Sequence, residues 1–225
     1  MTMPRLPPIA AAARRRFVLA GASAACVLAA PSIASSRRVL PAMTEGPFYP
    51  QAVWRHAQGA DWDADLTVVA PRRGGEPLRA RGEVLDLQGV VTDVQGRLVD
   101  GVEIEIWQCD ALGSYRHPRG AGAQVDEGFQ GFGATRADAQ GRYRFRTIRP
   151  VPYPGRTPHI HVKLRHPTWG EWTSQWFVAG DPGNAHDFIY RRLSAAEQAE
   201  VDLSLQRASP GLGATWWAQR RITVG

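Results

Sequence analysis

The chain has 225 residues, 44% hydrophobic and 21% charged, with 23 glycines and 17 prolines. That length supports one domain with its own core, and abundant turn formers with few helix-period stretches favour a β domain over a helical bundle. The formal net charge of +6 misleads: Arg5, Arg14, Arg15 and Arg16 stand before Ser35 with no acidic residue among them, and without these four the charge is +2, too small a footprint for nucleic acid.

Arg14-Arg15-Arg16-Phe17 precedes an apolar run from Val18 to Ala30, and Ser32-Ile33-Ala34 follows as a cleavage site. Basic, then apolar, then small is the order of a bacterial export signal, and the Arg-Arg-x-Phe pattern resembles the twin-arginine type that carries folded proteins. An ordinary secretory signal with a basic start is the alternative. Residues 1–34 are therefore expected to be removed on the way to the periplasm. The run is too short to span a bilayer comfortably, so no stable membrane anchor remains. Cys26 falls in this segment. Cys109 is left as the one thiol of the mature chain, unable to form an intrachain disulfide and read as a buried, inert side chain.

Residues 35–80 read as an irregular arm, punctuated by Pro41, Pro47, Pro50, Pro71 and Pro77. A β-rich domain is expected over 81–225. Strands are predicted at 84–92, at 102–107 (Val-Glu-Ile-Glu-Ile-Trp), at 143–148, at 159–164 (His-Ile-His-Val-Lys-Leu) and at 172–178. Period-2 alternation marks several of them, and turn residues at 93–96, 138–141 and 180–182 separate them. Short strands divided by turns predict an all-β fold, a β-sandwich of mostly antiparallel strands. Ser194-Ala195-Ala196-Glu197 has capping-box spacing and predicts one short C-terminal helix running to Arg207. The pairs Arg72-Arg73 and Arg191-Arg192 read as solvated surface, and Trp216-Trp217 as core or interface aromatics.

His159 and His161 sit at i and i+2 of a predicted strand, so both imidazoles leave one face and can reach one metal ion. Such a pair is weak evidence alone. Its approach, from Arg149 to Pro158, holds Pro150, Pro152, Pro154 and Pro158, which stiffen the backbone and define the place of Tyr153. A second tyrosine, Tyr115, follows the 102–107 strand. Two phenols with two imidazoles suit a hard trivalent iron better than zinc or copper(I). His56, His117, His166 and His186 read as solvated loop positions.

These residues bring a resemblance into view. Gly89-Val90-Val91-Thr92-Asp93, Val102-Glu103-Ile104-Glu105-Ile106-Trp107-Gln108, Gly113-Ser114-Tyr115-Arg116-His117 and the stretch from Arg149 to Val162 resemble the intradiol ring-cleavage dioxygenases. The arm motif Thr44-Glu45-Gly46-Pro47-Phe48-Tyr49-Pro50 looks like a segment that lines the active site in that family. The resemblance implies non-haem Fe(3+) held by Tyr115, Tyr153, His159 and His161. Tyr153, Arg156 and Gln175 would be catalytic, and Pro47, Tyr49, Arg156 and Gln175 would line the substrate pocket. It implies a small aromatic diol, protocatechuate- or catechol-like, as substrate with O2, a cis,cis-muconate-type diacid as product, and a homo-oligomer, since members often assemble. The loop from Tyr153 to His159 is several residues shorter than in the best-known members, which leaves the ring substituents open. Two other readings compete. One is an exported prealbumin-like binding module without redox activity, which has no reason to keep both tyrosines and both histidines. The other is a cupin-like or zinc hydrolase site, which would want a third histidine or a carboxylate nearby.

Overall fold

The structure, a computed structural model, describes residues 37–58, 62–70, 74–120, 124–211 and 213–225. The expected export signal, with Cys26, lies outside the described residues, as do Arg72 and Arg73. Residues 34–225 form one compact unit, so the arm of 35–80 packs with the β domain. Among the described residues no helix is long and apolar enough to cross a membrane.

Most of the unit is strand. In the arm, helix α1 (Ala52–Gln58) precedes a two-stranded ribbon of β1 (Val68–Val69) and β2 (Leu78–Arg79). The domain then runs through β3 (Val84–Asp93), β4 (Glu103–Trp107), β5 (Phe132–Arg136), β6 (Arg142–Ile148), β7 (His159–His166) and β8 (Gly170–Val178). Helix α2 (Ala195–Val201) leads into β9 (Asp202–Leu203), β10 (Gln206–Arg207) and β11 (Trp216–Val224). One sheet has the order β10-β11-β3-β6 and the other β5-β4-β7-β8-β9. Most neighbours are antiparallel, while β11 runs parallel to β3 and β9 parallel to β8.

The alternation that marks the strands also sorts their faces. In β4 and β7, Ile104, Ile106, Ile160, Val162 and Leu164 join Leu85, Leu87, Tyr143, Phe145 and Ile222 of the other sheet in the main core. Glu103, Glu105, Trp107, His159, His161 and Lys163 alternate with them and so leave the opposite face. A half-buried strand would leave that face to water. Here His159 through Leu164 are all buried, because the arm covers the polar face. The Met43 amide donates to the Thr173 carbonyl (2.8 Å), Trp172 Nε1 to the Leu40 carbonyl (2.8 Å), and Lys163 Nζ to Glu45. Gly89 lets the other sheet close: a Cβ there would meet the Arg220 carbonyl at 1.7 Å, beside the hydrogen bond from Tyr143 Oη to that oxygen (2.7 Å).

The expected strands are all present; β5, in the middle of the domain, was not expected, and the other differences lie towards the two ends. The arm is not irregular throughout, since it forms α1, β1 and β2. The C-terminal helix has the expected capping box at Ser194 and Glu197 but stops at Val201, six residues before the predicted end. Asp202 and Leu203 instead pair with Phe177 and Val178, which ladder bonds hold extended. Trp216 and Trp217 open a strand, and Trp216 packs on the main core with Arg149 and Arg207 over its ring.

Candidate metal centre

The site grows from a row of side chains across the middle of the five-stranded sheet. Trp107 of β4 stands opposite His161 of β7, and His161 opposite Gln175 of β8; His159 stands opposite Phe177. Side chains of directly opposed residues share a face, so ladder register alone brings the two imidazoles beside Gln175 and under Trp107. The Trp107 ring stacks on His161 with centroids 4.7 Å apart and planes 10° from parallel. His159 Nδ1 lies 2.6 Å from its own loop's Thr157 carbonyl. A carbonyl can only accept, so Nδ1 carries the proton and Nε2 is left with a lone pair aimed into the site.

The two tyrosines come from loops. Tyr115 follows the turn in which Asp110 accepts from the amides of Leu112 and Ser114 (2.9 Å each). Tyr153 sits on the proline-stiffened approach to β7, where the Arg156 amide donates to the Tyr153 carbonyl (2.9 Å). Tyr115 Oη lies 3.1 Å from His161 Nε2 and 3.5 Å from His159 Nε2, and the two Nε2 atoms stand 3.2 Å apart. The two phenol rings meet edge to face, with centroids 5.5 Å apart. Donors that share one ion at roughly 2 Å stand roughly 3 Å apart, so this triangle has the size that a common metal requires. Among the described residues no group of three or more His, Cys, Asp or Glu side chains gathers to hold a metal, so a site built here must use the phenols.

Burial tunes these groups. It holds His159 down to about 4, with the Arg156 charge adding to the effect, and it holds His161 well below the usual imidazole range. Both rings are therefore neutral near pH 7, the form that binds a metal. Burial likewise pushes both phenols up, and the Arg156 charge works against this at Tyr153. A buried phenolate thus needs a strong positive charge beside it, which a bound cation supplies. Tyr115, His159 and His161 are 3%, 1% and 2% exposed, while Tyr153 is partly exposed and is the donor that solvent reaches.

Arg156 links the site to its surroundings. Its Nη2 donates to Gln175 Oε1 (2.6 Å), its Nη1 to Tyr153 Oη (3.4 Å) and its Nε to Asp187 Oδ2 (2.8 Å). Gln175 Nε2 in turn donates to the Thr44 carbonyl of the arm (3.1 Å). A pocket of about 430 Å³ opens between the loop 152–158 and the turn 181–187, and Tyr153 and Arg156 line it. The structure thus gathers six of the residues expected from the sequence: Tyr115, Tyr153, Arg156, His159, His161 and Gln175.

The arm differs in detail. Pro47 is exposed, and Tyr49 faces away from the donors: it packs edge-on against Trp107, donates to Glu105 Oε2 and accepts from Arg165 Nη2 (2.7 Å each). Its neighbour Phe48 stands against the site, stacked on Tyr115 at 4.5 Å. Gly46 (φ +75°) lies against the site, where an added Cβ would be in ordinary contact with His161 Cε1 at 3.5 Å. Within an aromatic, proline-rich motif no spacing rule tells which ring turns inward. Asp187 was missed altogether, because its partner lies 31 residues away. Cys109 is buried as expected, and burial pushes its thiol up to about 12.

Comparison with known proteins places this arrangement. The chain is 39% identical over 138 residues to the protocatechuate 3,4-dioxygenase beta chain of Burkholderia cepacia, covering 57% of each chain. It is 31% identical over 110 residues to catechol 1,2-dioxygenase 1 of Acinetobacter lwoffii, covering 41% of this chain and 35% of that one. It thus spans little more than half, or less, of the curated relatives it matches. Its fold is shared with the dioxygenase domain of a dioxygenase carbohydrate-binding protein fusion from Streptomyces sp. SirexAA-E (TM-score 0.56, 24% identity, 83% of this chain and 98% of that one). Catechol 1,2-dioxygenase from Acinetobacter sp. ADP1 shares it too (TM-score 0.61, 21% identity, 83% of this chain and 63% of that one). A family model described as dioxygenase matches residues 46–216, well over half of the sequence, and the chain therefore belongs to the dioxygenase family.

Proposed function

We propose that the chain is an exported intradiol dioxygenase, which opens a catechol-type aromatic between its two hydroxyl carbons with O2 at a non-haem iron(III) centre and releases a cis,cis-muconate-type diacid. One observation carries the reading: a phenol oxygen and two imidazole nitrogens, buried together 3.1 to 3.5 Å apart, beside a second phenol and an arginine. Family membership supports the reaction class, and the two relatives named for protocatechuate and for catechol support a small aromatic diol as substrate.

The donor set fits the ion, since two phenolate oxygens favour hard trivalent iron and two neutral imidazoles complete a mixed O/N set. Tyr115, Tyr153, His159 and His161 would hold it. When bound there, iron(III) would acidify a chelating catechol and draw electron density from it, as a Lewis acid does for bound water. The chain's own residues supply the rest. Tyr153, the accessible donor, can take a proton from an incoming diol at its Oη. Arg156 Nη1 faces that same oxygen and holds the negative charge left on the substrate, where a fixed cation acts most strongly because water is scarce. Gln175, fully buried and held between Thr44 and Arg156, fixes one outer nitrogen of the guanidinium beside the donors. Phe48 and Trp107 wall the donors from solvent.

The visible spectrum of the purified protein tests the centre. A tyrosinate-to-iron(III) charge-transfer band is expected, weakened or shifted in Tyr115→Phe and in Tyr153→Phe, with O2 uptake on adding catechols. A protein that stays colourless after iron loading sinks the proposal and leaves the binding module in its place. Export rests on the Arg14-Arg15-Arg16-Phe17 pattern and the apolar run behind it. Lysine at all three arginine positions should trap the protein in the cytoplasm; unchanged export would point to the ordinary secretory route.

A further inference from the structure

We propose that Asp187 is the positioning residue for Arg156: its carboxylate fixes the guanidinium so that the two outer nitrogens face Tyr153 and Gln175. The inference deepens the function proposed above and rests on it for its kinetic consequence alone.

The geometry is specific. A carboxylate that merely neutralises an arginine tends to take two N–H groups from it, fork to fork. Asp187 takes only the Nε–H (2.8 Å) and gives the rest of Oδ2 to the Thr157 amide (3.1 Å). The guanidinium is planar, with donors at fixed angles. Docking the Nε edge therefore sets where the Nη edge points. It points inward, with Nη2 on Gln175 Oε1 at 2.6 Å and Nη1 on Tyr153 Oη at 3.4 Å. The Phe188 ring lies 5.3 Å from Cζ and limits rotation about the remaining torsion.

Asp187 is itself immobilised. Its side chain is 0% exposed, against 8% for Arg156. Oδ1 accepts from the amides of Ile189 (2.9 Å) and Tyr190 (3.0 Å), which ties the carboxylate to the following turn. The next residue of the arginine's loop is stitched to the preceding 3-10 turn, Pro182–Ala185, where Thr157 Oγ1 donates to Asn184 Oδ1 (2.8 Å). The segment 181–190 thus serves as a rigid bracket for the loop that presents Arg156. Asp187 touches none of the four donors in these contacts, so it acts through the arginine.

A double-mutant cycle in the full iron-loaded protein tests this. Asp187→Asn and Arg156→Ala are made singly and together, and kcat/KM is read by O2 uptake with 4-methylcatechol. Asp187→Asn is expected to lower kcat/KM roughly 10- to 100-fold, as loss of an outer partner does, with iron content unchanged. The double variant should be no worse than Arg156→Ala. Losses that multiply would mean that Asp187 acts elsewhere, which overturns the proposal. A crystal structure of Asp187→Asn gives a readout independent of turnover: the guanidinium should leave Gln175 and Tyr153, and finding it in place also overturns the proposal. A wild-type protein that takes up no O2 refutes the proposed function, while the crystal structure still decides the role of Asp187. Should Asn cost the fold, Asp187→Glu keeps the charge, moves the carboxylate by one methylene and is read in the same two ways.

Discussion

The two halves of the donor set are held by different means. His159 and His161 stand on a central strand whose neighbours on both sides, β4 and β8, fix register over several residue pairs. Moving either imidazole means slipping a ladder, which would turn every side chain of the strand to the other face. Tyr115 and Tyr153 stand on loops, placed by an Asx turn, prolines and a few side-chain contacts. Both imidazoles are fully buried and one phenol is partly open. The difference assigns the tasks: the sheet holds the imidazoles, and the loop that bears Tyr153, partly open beside the pocket, is where a small molecule can reach the donors.

That division predicts a contrast in stability. Trp107 is 1% exposed, stacks on His161 and meets Tyr49 edge-on at 5.0 Å. Trp107→Ala should cost about 3–5 kcal/mol, the usual range for emptying a buried tryptophan site. Urea unfolding measures it. The charge-transfer band should be lost with the fold, because the cavity opens directly behind His161. A stability loss under about 1 kcal/mol with the charge-transfer band intact would show that the strand side is no more rigid than the loop side.

Much of the strand side was legible and much of the loop side was not, for a physical reason. A strand with one core-facing side writes its geometry as period 2, so His159-x-His161 and Glu103-x-Glu105-x-Trp107 could be assigned to one face each. Strand β5 escaped because Gly133 sits where a Cβ would meet the Asp63 carbonyl at 2.3 Å, and a close approach of that kind leaves no apolar alternation. Strand β11 escaped because Gln219, Arg220 and Arg221 interrupt its apolar positions, and its partner β3 lies far back in the chain. The predicted helix overran for the same kind of reason, since pairing with β8 is a tertiary event that no local preference announces. The donors could be recognised by residue type and by resemblance to a family. The bracket of Asp187 and the inward turn of Phe48 rather than Tyr49 depend on contacts between segments that no spacing rule connects.

Tyr49 gives the finest test of the strand side, because it supports Trp107 without touching a donor. Its hydroxyl bridges Glu105 and Arg165, which also pair directly at 2.6 Å. Tyr49→Phe removes the bridge and leaves that pair, so the loss at pH 8 should be about 1 kcal/mol, the net worth of a typical hydrogen bond. The pH dependence identifies the source. Burial, opposed by the Arg165 hydrogen bond, raises the Tyr49 phenol to about 12 from an ordinary value of 10.0. A raised acid binds its proton more firmly in the folded state, so its contribution is complete below pH 10 and is lost as pH rises towards 12. The stability gap between wild type and Tyr49→Phe should therefore narrow from pH 10 upwards, read as the difference in urea midpoints. Tyr190, also raised to about 12, titrates equally in both proteins and cancels. A gap that stays constant to pH 11 would mean that Tyr49 supports Trp107 by shape alone, and that the charged network around Glu105 adds nothing to the rigidity of the histidine strand.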